Sequence, residues 1–262
     1  MKLLIKLGGT LLDDADSRRR LAAELAQLRR DGHALVVVHG GGKQMTRFLA
    51  ERGVESKFVN GLRVTTPDVV DAVLKVFAGS VNHELVASLV EAGAMAVGLS
   101  GIDAELAVAE QLDPALGAVG RVVRSNPAVL NTLTRDGFVP VIACVAGGAG
   151  AQVFNVNADL MAVACAVSFQ ADRLIFLTDV PGVKGADGEV IPSLRPTDCI
   201  HLIETGVATG GMQAKLNAAT DALKGGIGQV VIAPGAMERA AARILAGEII
   251  GTRLVSQEAS HA

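Results

Sequence analysis

Two stretches of this chain share one design, and that design limits what the chain can fold into more than any other feature. Ala34-Leu35-Val36-Val37-Val38-His39 is a largely β-branched run that stops at Gly40-Gly41-Gly42, and Leu3-Leu4-Ile5-Lys6-Leu7 stops at Gly8-Gly9-Thr10. Short apolar runs of this kind read as buried strands, and glycines directly after them leave backbone N–H groups with no Cβ in front. A phosphate-bearing ligand could be held there by the bare amides and by the positive end of the following helix. One such turn could equally serve tight packing alone. The amino-terminal copy adds Lys6 within an apolar strand. An unpaired buried ammonium is costly, so Lys6 is expected to meet an anion or an acid.

The intervening sequence supplies helices. Asp13 to Ser17 offers N-cap candidates, and Leu21, Leu25 and Leu28 recur at helical spacing before Gly32. Strand, helix and strand in succession imply a parallel α/β sheet. After Gly42 a helix turns Met45, Phe48 and Leu49 inward and ends near Gly53. Lys57 to Val64, with Asn60-Gly61 at its centre, carries a strong hairpin signal and is expected to form a lid over a site. Thr66-Pro67-Asp68 opens a helix running to Ala78, and a separate helix spans Asn82 to Glu91. Strand Ala96 to Leu99, an exposed hairpin within Glu105 to Arg124, helix Pro127 to Thr134 and buried strand Phe138 to Cys144 follow. Gly147 to Gly150 then leads to Asn155–Asp159 and the apolar helix Leu160 to Phe169. Strand Arg173 to Leu177 ends in Thr178 to Lys184, a loop at the carboxyl end of a strand, where open α/β sheets bind ligands. Thr197 caps a helix to Glu204, and Thr209-Gly210-Gly211 begins a helix that carries Lys215 and reaches Lys224. Strand Gln229 to Ala233, helix Met237 to Ala246, strand Arg253 to Val255 and a frayed tail from Gln257 complete the expectation.

Composition excludes several classes. A net charge of −3 with no basic stripe argues against a nucleic-acid partner. No membrane segment is expected, since the longest uncharged run, Phe138 to Asp159, is broken by Pro140, glycines and two asparagines. Lys6 and two glycines interrupt the amino terminus too early for a signal peptide. Cys144, Cys165 and Cys199 are scattered without ligand spacing, as expected of reduced thiols in a cytoplasmic protein. Gly42-Lys43 is followed by Gln44, so no phosphate-binding loop of the G-x-x-x-x-G-K-[ST] type is present. Gly40–Gly42 and Gly148–Gly150 lack the third glycine of a dinucleotide fingerprint, which weakens the reading as a nicotinamide oxidoreductase; absence of dinucleotide binding would exclude it.

Four polar features remain, each at the end of an expected element: Lys6 with Gly8 and Gly9, Gly41 with Gly42, Asn155 to Asp159, and Lys215 after Gly211. Alone, Asp159 is a first-turn acid favoured by the helix dipole and Lys215 a solvated helix residue. Together, two lysines, an acid and two glycine cradles describe a site that holds a polyphosphate and neutralises charge during phosphoryl transfer.

Lys6-Leu7-Gly8-Gly9, His39-Gly40-Gly41-Gly42, Asn60-Gly61-Leu62-Arg63-Val64-Thr65, Asn155-Val156-Asn157-Ala158-Asp159 and Gly211-Met212 through Lys215 resemble, in order, the motifs of the acetylglutamate kinases of the amino acid kinase family. The similarity runs over essentially the whole chain. It implies an open three-layer αβα sandwich with a mainly parallel sheet. Residues 1–170 would form a lobe for the acetylated amino acid and for dimerisation, and residues 171–262 a lobe for ATP. By the same resemblance, Lys6 and Lys215 would stabilise the transferring phosphoryl group and Asp159 would hold both lysines. Gly8, Gly9, Gly41 and Gly42 would donate backbone N–H groups, the latter pair toward the acceptor. Arg63, on its hairpin away from the glycine cradles, would clamp the α-carboxylate of the substrate, with Asn155 beside it. Asp179, Val180, Pro181, Gly182, Val183, Lys184, Val207, Ala208 and Thr209 would line the nucleotide pocket.

The implied reaction is ATP-dependent phosphorylation of the side-chain carboxylate of N-acetyl-L-glutamate, an early step of arginine synthesis. Magnesium would be held mainly by phosphates and water, with no protein metal ligand expected. A kinase of acylated aminoadipate and a non-catalytic amino-acid sensor are the alternatives. Arginine-inhibited members carry an extra helix ahead of the first strand, whereas the first strand here starts within two residues of Met1. A cytoplasmic homodimer indifferent to arginine, joined through helices Thr66 to Ala78 and Asn82 to Glu91, is therefore expected.

Overall fold

The computed structural model describes residues 1–59 and 61–256. Asn60, at the tip of the expected lid, and the expected frayed tail from Gln257 lie outside the described residues. In chain order the elements are β1 (Lys2–Leu7), α1 (Ala15–Arg30), β2 (Ala34–His39), α2 (Gly42–Ala50), β3 (Phe58–Val59), β4 (Leu62–Arg63), α3 (Pro67–Val73), a π-helical stretch (Leu74–Val81), α4 (Asn82–Glu91) and β5 (Ala96–Ser100). There follow β6 (Ala107–Gln111), β7 (Val119–Ser125), α5 (Ala128–Arg135), β8 (Val139–Ala143), β9 (Val145–Gly147), β10 (Val153–Val156) and α6 (Ala158–Phe169). The chain continues through β11 (Arg173–Thr178), β12 (Ser193–Leu194), α7 (Pro196–Glu204), α8 (Gly210–Lys224), β13 (Gln229–Pro234), α9 (Ala240–Leu245) and β14 (Thr252–Val255).

Eight strands form the central sheet in the order β12-β14-β13-β11-β1-β2-β8-β5. Its central strands run parallel, and β14 pairs antiparallel with β13. Helices cover it to give a three-layer α/β architecture, as expected. Strand β1 sits between β2 and β11, in register Lys6 to Val38 and Lys6 to Phe176. The two suggested lobes therefore share one sheet. Connections leave β1 toward β2 first and return to its other side only at β11, which makes the β1/β11 seam a switch point where a crevice opens at the carboxyl ends of strands.

Several expectations change. The hairpin within Glu105 to Arg124 is not simply exposed: β6 and β7 close a small four-stranded barrel with β9 and β10, and Ala107, Ala109, Leu116 and Val119 are buried. The two helices expected between Thr66 and Glu91 form one continuous helical run, because Gly79-Ser80 is absorbed into the π-helical stretch rather than breaking the helix. This run, Pro67–Glu91, is long and apolar enough to cross a membrane by length and composition, although 39% of its apolar window is buried inside the protein. Helix α7 starts at Pro196, and the Asp198 carboxylate, not Thr197, accepts the Arg195 N–H at 2.8 Å. The helix expected from Met237 begins only at Ala240, after Arg239 in a left-handed conformation.

Candidate active site

Strand β1 is buried from Leu3 to Leu7, and the Lys6 ammonium, largely withdrawn from water, turns to the carboxylate at the start of α6. Lys6 Nζ lies 2.7 Å from Asp159 Oδ1, and Lys215 Nζ lies 2.8 Å from Asp159 Oδ2. All three side chains are close to buried, with one-tenth to about one-eighth of each exposed. Asn157 caps α6, accepting the Asp159 N–H at 2.8 Å, and so fixes the carboxylate between the two lysines. Burial works to raise the pKa of Asp159, but Lys6 and Lys215 outweigh it and hold the carboxyl below its ordinary value. Burial pulls Lys215 below the ordinary lysine value despite its partner Asp159. Two ammonium groups share one carboxylate, which leaves a net positive charge facing the cleft.

Opposite this triad is an amide cradle. The N–H groups of Gly9, Gly41 and Gly42 have no backbone or side-chain acceptor among the described residues. A Cβ on Gly9 would stand 3.0 Å from Gly42 N and 3.1 Å from Gly41 N, so the space over these amides exists only because residue 9 is glycine. Gly42 begins α2, whose positive end adds to the attraction for an anion. Gly8 departs from expectation: its N–H donates to Leu177 O at 2.9 Å and is closed to a ligand, because β1 and β11 remain hydrogen-bonded one residue past the strand end. His39, fully buried behind the cradle, uses Nδ1 toward Gly40 O at 2.9 Å and Nε2 toward Asn82 Nδ2 at 3.0 Å. Burial, with a lesser push from Lys6, lowers its pKa to about 4. Both ring nitrogens are engaged, and none is left for proton transfer.

Arg63 is closer to the cradle than the sequence suggests. Its Nη2 donates to Gly42 O at 3.2 Å and to Thr46 Oγ1 at 2.8 Å, and Nη1 donates to Ser56 Oγ. The hairpin β3–β4 thus folds back onto the first turn of α2. Among the described residues no carboxylate pairs with this buried guanidinium, which stacks on Phe58 with 4.6 Å to the ring centroid. A charged fork held by neutral groups only is suited to an incoming carboxylate. Asn155 donates to Thr65 Oγ1 at 3.0 Å, and Thr65 Oγ1 in turn donates to Arg63 O at 2.9 Å, so Arg63 and Asn155 are braced through one threonine.

Lys6, Gly8, Gly9, Gly42, Arg63, Asp179 and Lys215 line one cavity of about 670 Å³. Gly41, Arg63 and Asn155 line a smaller one of about 180 Å³, which also meets Phe77, Val119 and Cys144. Asp159, Asp179, Val180 and Lys215 line a third, of about 320 Å³, on the β11 side. Pro181, Gly182, Val183, Lys184, Val207, Ala208 and Thr209 do not line it. Val183 and Ala208 are core residues, and Lys184 forms a bridge with Val190. Thr178, Gly210, Gly211 and Met212 stand there instead. Their signal was present in the sequence: Thr178 ends a strand, and two glycines open the helix of Lys215. Among the described residues no three His, Cys, Asp or Glu side chains cluster to hold a metal. Asp159 is committed to the lysines, and Asp179 accepts from Thr178 Oγ1 at 3.1 Å.

A strand-end crevice with paired lysines and free amides is the anatomy of a phosphotransferase, and sequence comparison gives the class: the pattern of the amino acid kinase family matches residues 1–234. The chain belongs to the amino acid kinase family. It is 65% identical, over 98% of its length and the whole of the relative, to an acetylglutamate kinase of Solibacter usitatus. It is 42% identical to the acetylglutamate kinase of Koribacter versatilis, covering 98% of this chain and 99% of that one. Among solved structures, N-acetylglutamate synthase from Neisseria gonorrhoeae in complex with coenzyme A and N-acetyl-glutamate superposes with a TM-score of 0.87 at 26% identity, covering 97% of this chain and 59% of that longer one. Carbamate kinase from Giardia lamblia bound to AMP-PNP shares the fold, with a TM-score of 0.72 at 17% identity over 98% of each chain.

Proposed function

We propose that this chain transfers the γ-phosphoryl group of ATP to the side-chain carboxylate of N-acetyl-L-glutamate, giving the acyl phosphate and ADP, as a step of arginine biosynthesis. The observation that carries this reading is the Lys6–Asp159–Lys215 triad facing the unpaired amides of Gly9, Gly41 and Gly42. High identity with acetylglutamate kinases over the full chain supports the choice of acceptor. The reacting carboxylate, with a pKa of about 4.3, is ionised near neutrality and needs no general base. One of its oxygens attacks the γ-phosphorus, and the bond to the β-γ bridging oxygen breaks with its electron pair leaving on ADP. Lys6 and Lys215 neutralise charge on the phosphoryl oxygens as the transition state loosens, and Asp159 fixes both ammonium groups in place. Gly9, Gly41 and Gly42 direct N–H groups at the same region. Arg63 takes the α-carboxylate of the acceptor, with Asn155 beside it. Asp179 and Val180 border the nucleotide. Magnesium would supply charge neutralisation on the phosphates, held mainly by phosphate oxygens and water rather than by side chains of this chain.

The assembly we propose is a two-fold homodimer in the cytoplasm. The helical run Pro67–Glu91 leaves the apolar Leu74 and Val90 exposed, with exposed Met95 just beyond. Sedimentation at twice the chain mass is expected, and a monomer at working concentration would remove the assignment. The reaction itself is tested by trapping with hydroxylamine in the presence of ATP, magnesium and a panel of acylated amino acids. A hydroxamate with N-acetyl-L-glutamate is expected. A hydroxamate with acylated aminoadipate instead would reassign the acceptor, and ligand binding without any hydroxamate would favour a sensor.

A further inference from the structure

His39 and Asn82 are buried polar side chains that do not line the cleft, yet a chain of hydrogen bonds runs from them into the amide cradle. Asn82 Nδ2 lies 2.9 Å from Val141 O, 3.0 Å from His39 Nε2 and 3.4 Å from Leu99 O. Backbone carbonyls only accept, so Val141 O takes one N–H and fixes the asparagine with its NH2 group on that side, Leu99 O being a longer contact. The same NH2 group faces Nε2 of His39, which must then be the acceptor, and the one proton of the neutral ring sits on Nδ1. Nδ1–H donates to Gly40 O at 2.9 Å. In a planar trans peptide the carbonyl oxygen and the next N–H point in opposite directions, so anchoring Gly40 O also fixes the direction of the Gly41 N–H.

The helix that brings Asn82 is wound for this task. Asn82 N–H donates to Phe77 O, an i→i+5 bond. In an α-helix residues five apart lie about 140° round the axis, whereas a π-helical turn sets them near one face. One face therefore carries both Asn82 and Phe77. A Cβ on Gly41 would stand 2.9 Å from the Phe77 ring, so that ring floors the cradle. Gly98 leaves room for the asparagine, since a Cβ there would lie 2.1 Å from Asn82 Oδ1.

We propose that His39 and Asn82 are positioning residues for phosphoryl transfer: Asn82 selects the Nδ1–H tautomer of His39, and that proton holds the Gly40–Gly41 peptide with its N–H toward the acceptor. What the N–H binds rests on the function proposed above. The hydrogen-bond chain does not.

Two substitutions separate positioning from packing. In His39→Asn the amide nitrogen can replace Nδ1 as donor to Gly40 O, whereas in His39→Gln the side chain reaches Asn82 but offers Gly40 O nothing. The expected kcat/KM for N-acetyl-L-glutamate falls by about fivefold or less in His39→Asn and by about twentyfold or more in His39→Gln, with the KM for ATP within about twofold in both. A role in packing alone predicts the reverse order, since glutamine is nearer histidine in size, and equal losses or that reverse order would overturn the proposal. Should either variant fail to fold, the imidazole nitrogen resonances of the unaltered protein decide: a proton on Nδ1 is expected, and a proton on Nε2 would overturn it. Should the unaltered protein not turn over N-acetyl-L-glutamate, the functional reading fails by itself. Hydrogen exchange at the Gly41 amide, faster in His39→Gln than in His39→Asn, then tests the positioning chain.

Discussion

At the scale of single residues, the site is a balance of charge in a dry environment. Lys6 and Lys215 are each neutralised only in part by Asp159, so their remaining field is available to a transferring phosphoryl group. Replacing either with alanine is expected to lower kcat by roughly two to three orders of magnitude with the fold intact, as steady-state assays and melting curves would register. A smaller loss than that of His39→Asn would contradict their assignment. Arg63→Ala is expected to raise the KM for the acceptor by more than about tenfold and that for ATP by less than about threefold. Its bond to Gly42 O makes some loss of kcat an added consequence. Equal effects on both substrates would remove it as the carboxylate clamp. His39 also leaves a mark on stability. Its folded pKa is depressed from 6.5 to about 4, so the unfolded chain binds a proton that the native ring refuses. Stability is thus unaffected above about pH 6.5 and falls between there and pH 4, by roughly 3 kcal/mol from this group once both states are protonated. Urea midpoints measured across that interval should lose part of their slope in His39→Asn, and an unchanged slope would show that other groups carry it.

Elements decide where these residues meet. The strand-then-glycine copies were legible because their chemistry is local: an apolar run, an abrupt glycine turn and a lysine that needs a partner. The cost of an unpaired Lys6 asked only for an anion or an acid, and Asp159 as that partner came from the family motifs; the pair is close in space although far apart in sequence. Other parts were not legible. Strands β9 and β10, with 3 and 4 residues, are too short to show a period, so the barrel they close with β6 and β7 looked like a lone hairpin. An asparagine between helices reads as a cap, and nothing in its neighbours announces the π-helical turn that aims Asn82 at His39. Gly8 looked equivalent to Gly9, and only the pairing of β1 with β11 separates them. That difference is testable. Gly9→Ala would put a methyl group over the amides of Gly41 and Gly42, and is expected to cut kcat/KM by at least about tenfold. Gly8→Ala meets only ordinary contact with Leu177 O, at 3.4 Å, and Thr178 Cα, at 3.6 Å, and should cost less. Equal activities in the two variants, both folded, would contradict the assignment of the cradle.

Across the whole molecule, one continuous sheet carries both halves of the reaction. β1 and β2 present Lys6 and the glycine turns, while β11 and the start of α8 present Asp179 and Lys215. Because the halves are joined at the β1–β11 seam, any opening or closing is expected to come from the β3–β4 hairpin, whose Phe58 and Val59 are about half exposed, rather than from rupture of the sheet. The central claim is that this crevice moves phosphate from ATP onto a carboxylate and not onto water. Phosphorus NMR of the intact chain with ATP, magnesium and N-acetyl-L-glutamate tests it most directly. The account predicts an acyl phosphate resonance that grows one for one with ADP, whereas ADP accompanied from the outset by inorganic phosphate alone, or no ADP at all, would contradict it.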